Sequence, residues 1–432
     1  MRFERRGWEF KSLRVRQPCQ TRSFAKHAQN FGCGLPLRSR PQSASSLSGS
    51  ASLPDQLLHN PRSSRSRLPS AGSSTIDPVK TWDVIIAGGG IIGLSLAIAF
   101  HKRGATVLVV ERGQPGHEAS HAAAGMLANY GSETPAPLRE LAAGSAAMYP
   151  EFVLELQDES GVHIDLRDQG TILFQSLEQR QNPYDEPAEE LSPERLQELE
   201  PGLCETRYAA ACLKERSVDP RALAAAALKA AKHRGVDIAS GTSVTAVSVA
   251  NGRAIGVTSN KTNYSGAAVV NCAGAWAGQF PPHQFPTRPV KGQMLSVVGA
   301  PRALRHVVRS PEVYLVPRSH GRILIGATVE EAGYDKRTDP ATIQRMHQAA
   351  VTLLPALREA RMLEAWAGLR PGTPDNLPIL GATSTPGYFV ATGHFRNGIL
   401  LAPVTAHVLA QVITGAKPDY DLSAFSPLRF QK

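Results

Sequence analysis

The sequence has few of the residues that characterise disulfide-stabilised, metal-binding or membrane-spanning proteins. Its five cysteines in 432 residues show neither a CxxC pair nor a metal-ligand spacing, which favours free thiols in a reducing compartment. The longest apolar run, Val84–Phe100, is slightly short for a membrane span and contains four glycines. We find no internal repeat. What remains is a chain long enough for two domains with a buried core.

Most of the chain also lacks net charge. The formal total is +10, but residues 1–74 carry 13 Lys and Arg against 3 Asp and Glu, while the remaining residues carry 34 of each. The excess of positive charge is therefore confined to the N-terminal tail. A neutral body argues against a basic surface for nucleic acid.

The tail, residues 1–78, has a composition typical of disorder, with 15 serines among its first 74 residues and no apolar periodicity. Because it is rich in arginine and serine and poor in acidic residues, it is either an organellar transit peptide or an over-extended gene start. In the second case a shorter product would begin near Val79. We expect a cytoplasmic protein, or an imported one if the tail is a transit peptide.

A dinucleotide-binding pattern opens the folded part of the chain. The segment "DVIIAGGGIIG" places Gly88, Gly90 and Gly93 in GxGxxG spacing. The first glycine permits a tight turn, the second lets the main chain approach a pyrophosphate, and the third lets helix and strand pack closely. The flanking residues predict a strand over Val84–Ala87 and a helix over Leu94–Lys102. The positive N-terminal end of that helix would face the phosphates.

The next strand and the segment after it indicate which cofactor binds. Val107–Val110 predicts a strand, and Glu111 follows it, 23 residues after Gly88, where a carboxylate can bind ribose hydroxyls and would repel the extra phosphate of NADP. Glu118–Asn129 then supplies small side chains that let the main chain run close to a bulky ligand. A nicotinamide-binding fold would continue into another helix–strand unit, so the pattern favours FAD over NAD. His121 in this segment is either a flavin attachment point or a histidine facing solvent or phosphate.

The alternation of elements predicts an α/β fold in which an FAD-binding Rossmann-like domain carries an inserted, mostly antiparallel β substrate domain. Local signals include an N-cap at Asp219 and an Asn251-Gly252 hairpin turn. Further helices are predicted over Leu138–Ser160, Pro340–Leu357 and Val404–Ile413. The FAD-binding domain is expected at 79–130, 205–284 and 366–418, and the substrate domain at 131–204 and 285–365.

Two arginines lie in glycine- and proline-rich turns near the C-terminus. Arg370 is in "WAGLRPGTPDNLP" and Arg396 is in "TGHFRNGILLAP". A guanidinium held on a stiff turn can orient a carboxylate through paired hydrogen bonds. Alternatively, Arg370 caps carbonyl groups and Arg396 serves the flavin or the structure. We find no candidate catalytic base and expect no metal. Lys291 is either an electrostatic partner or a solvated lysine.

Six motifs in order resemble the D-amino-acid oxidase family of FAD-dependent oxidoreductases, and most closely its glycine oxidase branch of thiamine biosynthesis. The likeness runs from about Asp83 to Ile413, and the first 74 residues have no counterpart in it. The motifs are "GGGIIG…VVERG…ASHAAAGML", "VVNCAGAWAG", "KGQML", "YLVPRSHGRILIGAT", "WAGLRPGTPDNLPILG" and "GHFRNGILLAP".

The resemblance implies non-covalent FAD and the oxidation of glycine and small N-alkyl or D-amino acids to the imine. Hydrogen peroxide would form when O2 reoxidises the flavin, and the imine would feed thiazole synthesis. The implied partners are a small amino-acid substrate and O2, with a possible homotetramer. The alternatives are a D-amino-acid oxidase or quinone-linked D-amino-acid dehydrogenase, a flavin-binding protein without oxidase activity, and an NAD dehydrogenase, which the small-residue segment after Glu111 does not suit.

The resemblance also implies site residues. Arg370 would pair with the substrate carboxylate, Arg396 would lie beside it, and Tyr314 would add a hydroxyl. Val329 and Glu312 stand where the pattern has a methionine and a histidine, which affects the choice of substrate more than the chemistry. The implied cofactor contacts are Gly88, Gly90, Ile91, Ile92, Gly93, Glu111, Arg112, Ala119, Ser120, Ala124, Gly125, Met126, Val244, His394, Phe395, Arg396, Asn397, Gly398, Ile399 and Leu400.

Overall fold

The computed structural model describes residues 80–129, 134–176, 188–204, 206–300 and 302–430, so the predicted tail lies outside the described residues. The strands are β1 Thr81–Ala87, β2 Val107–Glu111, β3 Met126–Leu127, β4 Leu166–Arg167, β5 Thr171–Gln175, β6 Glu189–Leu191, β7 Ala209–Leu213, β8 Arg216–Val218, β9 Asp237–Ser240, β10 Val244–Ala250, β11 Arg253–Ser259, β12 Asn263–Asn271, β13 Arg288–Val298, β14 Val307–Arg309, β15 Tyr314–Pro317, β16 Arg322–Gly326, β17 Arg361–Gly372, β18 Ile379–Ala382 and β19 Tyr388–Thr392. The α-helices are α1 Ile91–His101, α2 Ala119–Ala122, α3 Arg139–Ser160, α4 Pro193–Leu199, α5 Pro220–His233, α6 Pro340–Leu353 and α7 Ala402–Ile413.

The first sheet is the predicted Rossmann-like unit. Its eight strands run in the order β10-β11-β12-β1-β2-β9, with β19 also paired to β12 and β18 to β19. The strands around the glycine turn are parallel, β1 lying between β12 and β2. Residues of α1, α3, α5 and α7 form the largest buried apolar cluster with this sheet. The parallel arrangement brings the carboxyl ends of β1, β2 and β12 to one edge, where the glycine turn begins.

The second sheet confirms the predicted, mostly antiparallel β unit. Its eight strands run in the order β17-β13-β16-β15-β14-β5-β7-β6, and β14 with β5 is a parallel pair. One face packs with α6 in a separate apolar cluster. The opposite face contributes Met294 and Tyr314 to a small cluster with Ala124 of the first unit. This face is therefore the one that meets the cofactor side of the molecule.

The position of Arg370 differs from the expectation of a turn. Arg370 lies within β17, which pairs with β13 from Arg288↔Gly372 to Val298↔Arg361. Pro371 is tolerated there because β17 is an edge strand of the sheet. The boundary predicted at residue 366 falls inside this strand, and the segment predicted to begin at 205 includes β7 of the same sheet. The division into two domains stays a prediction.

Local capping and turn signals explain most of the helix and hairpin ends. Asp219 caps α5 by accepting hydrogen bonds from the amides of Arg221 and Ala222. The turn between β10 and β11 has positive φ at Asn251 and Gly252, as its sequence predicts. Helix α6 ends at Leu353 instead of the predicted Leu357, because Pro355 disfavours helical geometry in the residue before it. No helix in the described part of the chain has the length and apolar character needed to cross a bilayer.

Candidate active site

A cavity of about 1840 Å³ is lined by both the glycine turn and one face of the second sheet. Typical small-molecule pockets have volumes of roughly 300–1,000 Å³. The cavity therefore has room for an extended dinucleotide together with a small substrate.

Nearly all of the predicted site residues line this cavity, although their roles stay predictions. On the substrate side they are Tyr314, Arg370 and Arg396. On the cofactor side they are Gly88, Gly90, Ile91, Ile92, Glu111, Arg112, Ala119, Ser120, Ala124, Gly125, Met126, Val244, His394, Phe395, Asn397, Gly398 and Ile399. Of the predicted set, which lies wholly within the described residues, Gly93 and Leu400 do not line the cavity. Gly93 packs behind the turn, and the carbonyl of Leu400 accepts a hydrogen bond from Ser145 Oγ at 2.6 Å.

The three glycines of the turn have different surroundings. Gly88 has a φ of +114°, and a Cβ there would lie 2.4 Å from the carbonyl oxygen of Cys272. A Cβ on Gly93 would lie 2.0 Å from the carbonyl oxygen of Gly88. At Gly90 the nearest atom would be Ser120 Oγ at 3.3 Å. Two glycines therefore pack against backbone, while Gly90 is open to the cavity, where a pyrophosphate can approach.

Polar groups around the turn hold one another in place. The hydroxyl of Ser120 accepts a hydrogen bond from the amide of Ile91, the first residue of α1, at 2.9 Å. The carboxylate of Glu111 accepts from the amides of Gly89 and Gly113 at 2.7 and 2.8 Å. These amides fix the buried carboxylate at the cavity wall. Each of its oxygens keeps a lone pair that can accept a hydrogen bond from a ribose hydroxyl.

The small-residue segment after β2 is hydrogen-bonded to Arg318, the residue that follows β15. A Cβ on Gly125 would lie 1.9 Å from the carbonyl oxygen of Val218, and Gly125 has a φ of +76°. The guanidinium of Arg318 donates to the same carbonyl at 3.0 Å and to the carbonyl of Ala124. Burial lowers the pKa of Arg318 to about 10, so it stays protonated at neutral pH. Nothing in the local sequence singled out Arg318.

The placement of His121 favours its second interpretation. Among the described residues, Ser120 and Ala122 line the cavity but His121 between them does not. Its ring stacks on His117 with the ring centroids 4.8 Å apart, and its carbonyl accepts from Arg221 Nε at 3.3 Å. Burial, and then the charge of Arg221, lower the pKa of His121. This geometry does not support attachment to a flavin.

Arg112 takes part in a stack that the sequence did not predict. Its guanidinium carbon lies 3.4 Å from the ring centroid of Trp276, and its Nη2 donates to Glu118 at 2.7 Å. Trp276 in turn stacks on Tyr334 with the ring centroids 5.3 Å apart. Trp276 and Glu118 both line the cavity. Trp276 lies in the motif "VVNCAGAWAG", but the motif did not single out the tryptophan.

The register of the second sheet places Tyr314 and three of its strand neighbours on the face that lines the cavity. Met294 pairs with Gly326, Gly326 with Tyr314, and Tyr314 with Arg309. Residues that are directly opposite in neighbouring strands point to the same face. All four line the cavity. Gly326 leaves space for the ring of Tyr314, whose hydroxyl would lie 2.6 Å from a Cβ at Gly326.

Arg370 reaches this face from the edge strand. Its guanidinium lies over Gly292, where a Cβ would be 2.3 Å from Nη1. Nη1 donates to the carbonyls of Thr328 at 3.0 Å and Lys291 at 3.4 Å. The donors on Nη2 and Nε are not consumed by these two bonds and can bind a carboxylate. Arg370 therefore caps carbonyl groups and also lines the cavity, so the two interpretations of its role are compatible.

Burial keeps the hydroxyl of Tyr314 neutral. Burial raises its pKa, and the guanidinium groups of Arg370 and Arg396 oppose that rise. Burial lowers the pKa of Arg370, with the charge of Arg396 acting in the same direction. The hydroxyl of Tyr314 contacts Met294 Sδ at 3.5 Å. At neutral pH this wall therefore presents a neutral hydroxyl beside two cations.

The turn after β19 carries an exposed cation and a buried neutral histidine. Arg396 is exposed at the cavity edge, with its guanidinium carbon 5.3 Å from the ring centroid of Phe395. His394 is 3% exposed, and its Nε2 lies 3.1 Å from Thr405 Oγ1. Burial lowers the pKa of His394 to about 3, so the ring is uncharged at neutral pH.

Lys291 is not a solvated lysine, and its electrostatic partner is Glu330. It is 6% exposed, and its Nζ lies 3.6 Å from Glu330 Oε2, so it is a buried member of an ion pair. Among the described residues it does not line the cavity. Val329 and Glu312, the two departures from the family pattern, both do.

Comparison with known proteins agrees with this geometry. Over 365 residues the chain is 37% identical to the bifunctional protein ThiO/ThiG of Trichormus variabilis, which covers 82% of this chain but 56% of that protein. It thus spans little more than half the length of the first curated relatives it matches. It is also 33% identical to glycine oxidase of Geobacillus kaustophilus, with 81% of this chain and 97% of that protein covered.

The solved structures give the same result. The crystal structure of glycine oxidase from Geobacillus kaustophilus superposes with a TM-score of 0.77 at 32% identity, covering 82% of this chain and all of that one. The family model described as "FAD dependent oxidoreductase" (DAO) matches residues 83–412. That match includes all of the second sheet, all of the first except the first two residues of β1, and every residue that lines the cavity, and the chain therefore belongs to the DAO family of FAD-dependent oxidoreductases.

Proposed function

We propose that the protein oxidises glycine and small N-alkyl or D-amino acids to the corresponding imine. Hydrolysis of the imine from glycine gives glyoxylate and ammonia, and O2 takes up the two electrons as hydrogen peroxide. The glycine oxidase relatives support this substrate class. The resemblance to the thiamine-pathway branch supports delivery of the imine to thiazole synthesis.

The observation that carries the proposal is the guanidinium of Arg370 in the cavity wall. Two main-chain carbonyls hold Nη1 at a fixed position over Gly292. A carboxylate bound to the remaining donors would have a defined orientation as well as a charge partner. Such contacts contribute roughly 1.5–3 kcal/mol per charged hydrogen bond. Orientation is what the reaction requires most, because the α-hydrogen must face the acceptor.

FAD, when bound, supplies the hydride acceptor. The glycine turn, Glu111 and the Ala124–Met126 segment would hold it, since they combine an open main chain, a fixed carboxylate and small side chains. On the substrate side, the charges of Arg370 and Arg396 disfavour the ammonium form of the bound amine. The neutral amine has the lone pair that the oxidation needs. The neutral hydroxyl of Tyr314 can donate a hydrogen bond to the substrate.

The direct test is spectroscopic. The purified protein should be yellow, and anaerobic addition of glycine, sarcosine or D-alanine should bleach the flavin absorbance. Aerobic turnover should then release hydrogen peroxide. Bleaching without peroxide would indicate a quinone-linked dehydrogenase, and no bleaching by any of the three amines would reject amine oxidation. The cytoplasmic location stays a prediction from the sequence, and the homotetramer stays a prediction from the resemblance.

A further inference from the structure

The hairpin between β14 and β15 brings a carboxylate to the cavity. The amide of Ser310 donates to the carbonyl of Val313 at 2.9 Å, which closes a tight loop with Glu312 near its tip. Glu312 lines the cavity, two residues before Tyr314. Its carboxylate accepts hydrogen bonds from the hydroxyls of Tyr208 at 2.5 Å and Ser310 at 3.3 Å. Glu312 is exposed, and Tyr208 from a separate segment is its closer partner, since the single hydroxyl proton of Ser310 also faces the carbonyl of Val313 at 2.8 Å.

The sign of the charge changes along the substrate wall, which is the face of the second sheet that lines the cavity. Among the described acidic residues that line the cavity, Glu111 lies at the glycine turn, Glu118 pairs with Arg112, and Glu312 lies on the substrate sheet. The neighbouring Arg309 is 7% exposed and lies 3.5 Å from Glu215, so its charge is balanced within the protein. The wall is therefore cationic around Arg370 and carries a carboxylate at Glu312, two residues before Tyr314 in the chain. Arg207 interacts electrostatically with Glu312 but is not among the described residues that line the cavity.

The same end of the cavity has an apolar component. Leu173 lies opposite Arg309 in the parallel pair of β5 and β14, and Leu213 and Val313 also line the cavity. Glycine held by its carboxylate at Arg370 has no atoms beyond its amine with which to reach this region. A substituent on the nitrogen would extend beyond the amine and would need its own space in the cavity, which Glu312 and these apolar side chains also line.

We propose that this end of the cavity is a subsite for the substituent on the substrate nitrogen, and that Glu312 sets its charge preference. Neutral and cationic substituents are accepted, and a second carboxylate is disfavoured by repulsion from Glu312. The inference rests on the proposed function, because it assumes that the substrate carboxylate binds at Arg370.

Three substrates isolate the charge of the substituent. Sarcosine carries a neutral N-methyl group, iminodiacetate adds a carboxylate to that methyl, and N-(2-aminoethyl)glycine adds an aminomethyl group instead. The measured quantity is kcat/KM for each charged substrate divided by kcat/KM for sarcosine. In Glu312→Gln we expect the iminodiacetate ratio to rise about three- to tenfold and the aminoethyl ratio to fall similarly, the size expected for a partly screened charge.

Glu331→Gln is the matched control. It removes the same charge from an exposed carboxylate that pairs with Arg288 at 3.1 Å, and Glu331 is not among the described residues that line the cavity. Both carboxylates are exposed, but only Glu312 lines the cavity, so we expect both ratios in Glu331→Gln to stay within about twofold of wild type. Unchanged ratios in Glu312→Gln, or equal changes in both variants, would overturn the subsite.

A binding measurement separates this inference from the proposed oxidation. Methoxyacetate and oxydiacetate are the oxygen analogues of sarcosine and iminodiacetate and have no amine to oxidise. Their dissociation constants can be read from shifts in the visible spectrum of the FAD-loaded protein. The measured quantity is the dissociation constant of oxydiacetate divided by that of methoxyacetate. A lower value in Glu312→Gln than in wild type supports the subsite even if no amine is turned over. An equal value in the two proteins rejects the subsite even if glycine is a good substrate.

Discussion

The two walls of the cavity are built from different parts of the polypeptide. The cofactor wall is mostly main chain, formed by the turn at Gly88 and Gly90 and by the small-residue segment through Gly125. The substrate wall consists of long side chains, including Arg370 and Tyr314, that project from one sheet face. A wall of main chain should be sensitive to atoms that are added, and a wall of side chains to atoms that are removed. The predictions below test this contrast.

The largest effect is expected from a substitution on the substrate wall. Under the proposed binding mode, Arg370→Ala removes the desolvated cationic partner of the substrate carboxylate, which would cost roughly 2–5 kcal/mol, or about 30- to several-thousandfold in kcat/KM for glycine. KM should rise strongly, while FAD stays bound because the cofactor wall is unaltered. Steady-state kinetics and the visible spectrum measure both quantities. Arg370→Lys keeps the charge and loses the planar fork, so it should fall between wild type and Arg370→Ala. An unchanged KM in Arg370→Ala would remove this residue from the site.

Arg318 follows β15 of the second sheet, yet its guanidinium donates hydrogen bonds to carbonyls on the cofactor side of the cavity. A substitution of Arg318 therefore tests a contact between the two walls. Arg318→Met leaves the buried carbonyls of Ala124 and Val218 without their charged donor. Each unpaired buried group costs roughly 1–3 kcal/mol. We expect weaker FAD binding by titration and a lower free energy of unfolding, with little change in KM at saturating FAD. Arg322→Met, whose guanidinium pairs with Glu364, is the control. Equal FAD affinity in both variants would contradict a role for Arg318 in holding the segment.

A single added methyl group on the cofactor wall should lower stability or weaken FAD binding. In Gly93→Ala the new Cβ would lie 2.0 Å from the carbonyl oxygen of Gly88, so helix α1 must shift. Overpacking of this kind costs about 1–3 kcal/mol in the free energy of unfolding, measurable by urea denaturation of the apoprotein. Gly90→Ala adds the same group where the nearest atom is 3.3 Å away, so we expect it to weaken FAD binding and leave the apoprotein more stable than Gly93→Ala. The reverse order of stability would reject this explanation of the two glycines.

A smaller effect is expected from pH through His394. Its pKa is about 3 in the folded protein and 6.5 in its ordinary state, so between these values the unfolded chain binds one more proton. The free energy of unfolding should therefore fall as the pH is lowered, by about 1.4 kcal/mol per pH unit from this group. His394→Gln removes the contribution. Urea denaturation of both proteins between pH 6 and pH 5 should show the steeper loss in wild type, and parallel curves would contradict burial of a neutral ring.

The cofactor wall is easier to predict from sequence than the substrate wall, because main-chain turns form the first and side chains from distant segments form the second. The turn from Gly88 to Gly93, the strand ending at Glu111 and the hairpin at Asn251-Gly252 depend on residues a few positions apart, and the sequence alone predicts all three. The family resemblance added Tyr314 and Glu312 as candidates. It did not reveal that the hydroxyl of Tyr208 holds Glu312, a contact across 104 residues.

Local sequence thus determines the glycine turn, because turn geometry and helix capping depend on residues a few positions apart. Sheet register determines which side chains form the substrate wall. Arg370 lies in an edge strand paired to β13 instead of in a turn, and Arg318 bonds to Ala124 across 194 residues of chain. Such contacts depend on which strands pair and on which face each side chain lies. No short-range pattern encodes them, and only the folded chain brings these residues together.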